Sequence, residues 1–427
     1  MAGFSTKERL AASLLSTFPG LKKHVKWIYI KLSAVIYKKN YTSKIDEGKV
    51  SEIMQVEANG GGETFFGYYD KPCSRKGNIL FHRTIQQPTI KQPSATTSID
   101  IIVRTDAGKE ITIGTTCTYN WQQGARAQWL DDDKVIYNCL KDDHYGAKVY
   151  SISGQKVISE FDMPVQDSFR NNYFLSINYS RIMKLRADYG YRNLPLPSEI
   201  EMEDLRNDGI FKVDYLTRKF QLIHSLKDIV ALQPKTIFTT CNHVVNHVMI
   251  RPDGKGFIFI HRYYQGKRRF DRLIYSDFKQ MKVLVDDKMV SHCCWVDNST
   301  ILGYFRYNGR DAFYECDIDS ANIKCNETMS QLRYGDGHPS CYGNLIVFDT
   351  YPDKSRMQHL FLYDRNTDAV YQLLEVYQST AYMNECRCDL HPRFSDDGKH
   401  IFFDTVYSGN RQLCYVTLKK SLIPQHN

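Results

Sequence analysis

Four stretches in the second half of this chain are copies of one unit, and their spacing limits the fold more than any other feature. One reads His247-Val-Met-Ile-Arg-Pro-Asp-Gly-Lys-Gly-Phe-Ile-Phe-Ile-His261, and another His391-Pro-Arg-Phe-Ser-Asp-Asp-Gly-Lys-His-Ile-Phe-Phe-Asp404. Between them lie His292-Cys-Cys-Trp-Val-Asp-Asn-Ser-Thr-Ile-Leu-Gly-Tyr-Phe305 and His338-Pro-Ser-Cys-Tyr-Gly-Asn-Leu-Ile-Val-Phe-Asp349. The starts stand 45, 46 and 53 residues apart. Each unit is a strand, a tight Asp/Asn/Gly turn and an apolar strand, followed by a further strand such as 272–276, 312–317, 359–363 or 412–416. Four strands in about 45 residues make one propeller blade. Weaker units recur near 70–83, 128–153 and 176–224. The expected fold is therefore all-β, a seven-bladed propeller over residues 64–420, with six or eight as the neighbouring counts. No helical pattern recurs between strands, which excludes a parallel α/β sheet.

An N-terminal helical arm, residues 1–50, precedes the propeller. Residues 1–45 hold nine Lys/Arg against one acid, while the other 382 residues balance 47 basic with 47 acidic side chains. The net charge of +8 thus belongs to the arm, and the neutral body argues against nucleic acid as a partner. Within the arm, Leu10, Leu14, Leu15 and Phe18 suit a first short helix ended by Pro19-Gly20. Leu21, Val25, Ile28, Leu32, Val35 and Ile36 share one face of a second. Such a basic amphipathic helix lies on an anionic membrane or packs on the body or a partner. The arm is expected to be dispensable for folding of the body. No secretory signal is visible, and the twelve cysteines form no disulfide framework or zinc ribbon. The expected location is the cytoplasm, with peripheral contact at the inner face of the membrane.

In a propeller, the innermost strands start near one mouth of a central channel. Residues at equivalent positions of successive blades therefore meet in space. His247, His292, His338 and His391 hold that position in four consecutive units. Each taken singly reads as a turn or core residue; four in register point to a divalent-metal site, since neutral imidazoles and a carboxylate bind such ions. Asp389 stands two residues before His391 and Asp336 two before His338, so each shares its histidine's strand face. His261 ends a second strand and suits a base at the same mouth, or is a loop residue. In the N-terminal half, Tyr68, Tyr69, Tyr189 and Tyr191 lie beside glycines and suit sugar stacking, whereas Trp121 and Trp129 read as blade packing. Arg126, Arg186, Arg262 and Arg356 are candidates for a sugar carboxylate, or for ion pairs at blade edges.

These motifs resemble those of oligogalacturonate lyases and, more loosely, of propeller ulvan lyases, most clearly over residues 247–418. Pro252-Asp-Gly-Lys, Phe257-Ile-Phe-Ile-His261 and Asp271-Arg272-Leu273 are similar to the lyase blade with the catalytic histidine. Ser291-His292-Cys-Cys-Trp295 is similar to the stretch with a manganese-binding histidine, and Asp389-Leu-His391-Pro-Arg-Phe-Ser-Asp-Asp-Gly-Lys to the last-blade motif with further ligands. The pattern departs at Asp389, where that family has a second histidine, and at Cys386, about where it has a glutamine ligand. The ligand set inferred for this chain is His292, His338, Asp389 and His391, holding Mn, Zn or Ca. The resemblance implies a lyase acting on an acidic polysaccharide or oligosaccharide. It would neutralise a uronate carboxylate, remove the C5 proton with His261 or His247 beside Arg262, and protonate the leaving oxygen with Tyr69 or Tyr189. The alternative is a non-catalytic glycan-binding or scaffolding propeller in surface-polysaccharide biosynthesis.

Overall fold

The computed structural model describes residues 19–422, with side chains from His24 onward. The helix expected before Pro19 lies outside the described residues. Seven antiparallel sheets follow one another around an axis. Blade 1 contains Glu63–Phe65, Ser74–Arg75, Asn78–Thr84, Ile99–Arg104 and Glu110–Thr116; blade 2 runs from Gln128–Trp129 to Lys156–Phe161, and blade 3 from Asp167–Phe169 to Phe220–Ser225. Blade 4 contains Asn242–Ile250, Phe257–Gln265, Arg268–Ser276 and Met281–Val285, and blade 5 runs from Val290–Trp295 to Ile323–Cys325. Blade 6 runs from Ser340–Tyr342 to Ala369–Tyr377, and blade 7 contains Arg393–Phe394, His400–Thr405 and Gln412–Thr417. The count is seven, as the repeat predicts.

The recurring Asp-Gly turns explain the hairpins. In blade 4, Gly254 takes φ +74 and its N–H donates to the Arg251 carbonyl at 2.8 Å; in blade 7, Gly398 takes φ +70 and donates to Ser395 at 3.0 Å. Glycine meets no steric penalty there. A Cβ on Gly254 would also come within 2.5 Å of the Phe169 ring, so the turn packs directly on blade 3.

Apolar alternation buries both faces of most strands against neighbouring blades. Between blades 4 and 5, Met249, Ile258, Leu273, Val290, Ile301 and Phe305 form one such seam. Fully burying a side chain of this kind contributes roughly 1.5–3 kcal/mol. Trp129 and Trp295 tie adjacent blades together, their indole N–H groups donating to the Cys73 and Met249 carbonyls.

Ring closure uses both chain ends. Met54–Gln55 pairs with Gln412–Thr417 and supplies the outer strand of blade 7. Ser43–Ile45 pairs with Ala369–Tyr377 and adds a fifth strand to blade 6. The arm therefore enters the sheets before residue 50. Ser43–Ile45, within the stretch expected to be dispensable, thus supplies backbone pairing to a blade. The helix Pro19–Ile36 precedes these strands, with proline at its first position, where a missing N–H is harmless. It rests beside blade 6: Lys31 donates to Thr380 at 2.6 Å, while Lys39 and Tyr41 both reach Glu375.

Candidate metal centre

The four in-register histidines converge, and local backbone irregularities aim them. In blade 4 the pairing register shifts between Asn246 and Met249, and in blade 5 between Val290 and Cys293. His247 and His292 sit in these bulges, which re-aim side chains. His247 (φ 51) and His391 (φ 46) are in the left-handed region, rare for residues with a Cβ. Such strain persists where surrounding structure holds it, often at functional sites. Ring centroids are 5.6 Å apart for His247 and His292, 4.0 Å for His292 and His338, and 4.3 Å for His338 and His391.

Asp349, at the end of a blade 6 strand, organises two of them. It accepts the backbone N–H groups of His338 at 2.7 Å and His391 at 3.1 Å, and lies 2.8 Å from His338 Nδ1. The His338 ring thus donates from Nδ1 and presents Nε2 as a lone pair, the arrangement in which a carboxylate orients a metal-binding histidine. The ligand atoms of His338, Asp389 and His391 all lie within 4.8 Å of one another. Asp389 Oδ1 and both Nε2 atoms are buried without a hydrogen-bond partner in the protein. Three convergent polar atoms without partners would each carry a desolvation cost unless something binds them. Two imidazoles and one carboxylate suit manganese or zinc; calcium requires a shell of oxygens. His292 is not in this triad. Its Nδ1 turns to Ser291 at 3.2 Å and to Asp336 at 3.3 Å.

The electrostatics distinguish the four rings. Burial depresses the pKa values of His247, His292 and His391 far below the usual imidazole range, helped by neighbouring imidazoles and arginines. Burial also pulls on His338, but the Asp349 carboxylate outweighs it and the net shift is upward. Burial raises Asp336 to about 6, against its hydrogen bond from Ser291.

The other candidate residues separate into two groups. Tyr68 lies 2.9 Å from His247 Nδ1, and Tyr189 packs edge-on to the same imidazole at 5.3 Å, so both line the cluster. Arg186 stacks over Tyr189 at 4.6 Å and donates to Asp188. Tyr69 also lines the cluster, its ring 5.9 Å from His292, 5.4 Å from His338 and 6.2 Å from His391, while its hydroxyl donates to the Cys293 carbonyl and accepts the Cys293 N–H. Arg126 grips Asp70 bidentately at 2.9 and 3.1 Å and is buried, so it serves packing rather than substrate. Tyr191 is likewise internal, stacked on Tyr179 at 4.3 Å and bonded to Asn138. Arg262 is buried beside Asp271 at 3.4 Å. Arg356 pairs with Gln378 at 2.7 Å and borders a cleft.

His261 departs from expectation. Arg272 donates to its Nδ1 at 3.0 Å, its Nε2 pairs with His243 Nδ1 at 2.9 Å, and the His243 Nε2–H donates to the Phe238 carbonyl at 2.9 Å. Both ring nitrogens are committed, which leaves no lone pair for a base. The sequence reading also missed Arg387, whose guanidinium holds Asp389 at 2.7 Å, Asp188 at 2.7 Å and Tyr189 at 3.2 Å. The i, i+2, i+4 spacing of Arg387, Asp389 and His391, in the extended segment before Arg393–Phe394, was the signal available for it.

A cleft of about 1120 Å³ opens over the centre, between the N-terminal helix and blades 6 and 7. Asp336, Tyr351, Arg356, Arg387 and Asp389 line one wall, and Trp27 of the helix another.

Fold and site together define a seven-bladed propeller with a candidate His-Asp-His metal centre at its axis. Two solved structures resemble this chain in fold. One is oligogalacturonate lyase in complex with manganese, at 16% identity, covering 89% of this chain and 99% of that one with a TM-score of 0.57. Another is oligogalacturonate lyase from Vibrio parahaemolyticus, at 13% identity, 90% and 98% coverage, and a TM-score of 0.60. At such identities the likeness is one of fold. No family model matches the chain, and no curated protein matches it in sequence.

Proposed function

We propose that this chain is a metal-assisted lyase that cleaves uronate-containing oligosaccharides by β-elimination. The observation that carries the reading is the triad: three buried ligand atoms of His338, Asp389 and His391, convergent and unpartnered, with Asp389 lining a cleft of about 1120 Å³. The likeness of fold to a manganese-bound oligogalacturonate lyase supports the same chemistry. His338, Asp389 and His391 would hold the ion, with Asp349 and Arg387 orienting two of them. A bound divalent cation supplies positive charge against the uronate carboxylate, which makes the adjacent C5–H more acidic.

The chain's own groups then divide the proton work. His292, kept neutral by burial and anchored through Nδ1 to Asp336, takes the C5 proton. The released electron pair forms the C4–C5 double bond as the C4–O bond breaks. Tyr189 gives its phenolic proton to the leaving oxygen, and Arg387 and Arg186 stabilise the phenolate that remains. Arg356 and Arg387 provide cationic lining for an acidic substrate.

The test pairs metal analysis with ultraviolet detection of the unsaturated uronide from oligogalacturonate. The expected result is stoichiometric Mn or Zn and product formation. Asp389→Ala should lose both, and His292→Gln should retain the metal but form no product. Retained metal with no product from any uronate would favour the glycan-binding alternative.

A further inference from the structure

The N-terminal helix Pro19–Ile36 is amphipathic in the reverse of the usual sense. Val25, Ile28, Leu32, Val35 and Ile36 fall within about a quarter turn of its circumference. Water-facing helices turn such a stripe inward; here Leu32 is 58% exposed, Val35 76% and Ile36 72%. The polar Ser33 instead faces the body, at 5% exposure. Polar contacts hold the arm to blade 6, through Lys31 to Thr380 and Lys39 to Glu375. The seating thus uses the polar side and presents the apolar one.

We propose that this outward stripe is a docking face for anionic lipid. Nine Lys/Arg against a single acid in residues 1–45 supply charge complementarity, in a chain whose remainder is neutral. No helix among the described residues is long and apolar enough to cross a membrane, so the contact is peripheral, with the stripe sunk among the headgroups. The same helix walls the cleft through Trp27, Tyr29 and Ile30, so docking brings the cleft close to the lipid surface. This inference is independent of the lyase reading.

The experiment sediments the full chain with vesicles of phosphatidylglycerol and phosphatidylcholine in equal parts, and with phosphatidylcholine alone. Binding to the mixed vesicles only, weakened by salt, is expected. The triple substitution Ile28→Asp, Leu32→Asp, Val35→Asp should reduce the partition at least about tenfold. All three side chains are half or more exposed, so the thermal transition should not move. Lys26→Gln with Lys38→Gln gives a second, milder reduction. Failure of the unsubstituted chain to bind anionic vesicles overturns the proposal. So does a stable dimer in light scattering that the triple substitution dissociates, since the stripe would then be a contact between copies.

Discussion

Asp349 shows how one side chain can set a site it does not occupy. It orients the His338 imidazole and ties the His391 backbone into the same position. Asp349→Asn keeps the shape and loses the charge. Metal affinity should drop about 10–100-fold with the fold intact, measured by titrating the apoprotein with Mn²⁺. His82, in the blade 1 strand Asn78–Thr84, reports on stability. It is fully buried, accepts the Ala125 N–H at 3.1 Å, and burial lowers its pKa to about 4 despite hydrogen bonds that favour the charged form. An unfolded histidine titrates near 6.5, so between 6.5 and 4 the unfolded chain holds the extra proton. This contribution to stability is complete above about pH 6.5 and is lost as the pH falls toward 4, by about 3 kcal/mol in all. Denaturant midpoints across that window should therefore decline, and His82→Gln should lessen the slope by up to one proton. An unchanged slope would refute the assignment. At this scale the sequence revealed which histidines share a register, because a strand repeat is visible in residue spacing. It could not reveal that His261 faces Arg272 and His243, since those contacts depend on which side of blade 4 the ring occupies.

Among the elements, the two short N-terminal strands matter more than their length suggests. Removal of residues 1–38 should leave the thermal transition within about 1 kcal/mol of the intact chain, because the Lys31–Thr380 bond is only partly buried and Leu32, Val35 and Ile36 face outward. Extending the deletion through residue 56 strips Met54–Gln55 from blade 7 and Ser43–Ile45 from blade 6. Two bare sheet edges then invite aggregation, and loss of soluble monomer in size-exclusion chromatography is the expected outcome. A soluble, cooperatively folding product would show that the closure strands are ornamental. Neither strand was legible in the sequence as part of the sheets, for two or three residues carry no periodic signal. Their role depends on pairing with partners more than three hundred residues away.

For the whole molecule, the axis is the one place where several blades meet, so a bound ion should brace the ring. Ligand that binds only the folded state stabilises it by mass action, about 2.7 kcal/mol at a hundredfold excess over Kd. Mn²⁺ is accordingly expected to raise the melting temperature of the intact chain and a chelator to lower it. His338→Ala should abolish both responses, and an Mn²⁺ shift preserved in that variant would place the ion elsewhere.

By itself the sequence determined the repeat, a propeller of seven blades with six or eight still open, the charge asymmetry of the arm and the register of the four histidines. These are local or periodic properties, written in turn residues and strand alternation. Only the tertiary structure decided that His338 and His391 join Asp389 while His292 turns to Asp336. It also decided that Arg126 and Tyr191 are internal struts, and that the arm's apolar stripe faces outward. Those outcomes are set by bulges, left-handed φ values and packing between blades, which bring together residues remote in sequence. A side chain's direction there depends on the neighbouring blade as much as on its own strand.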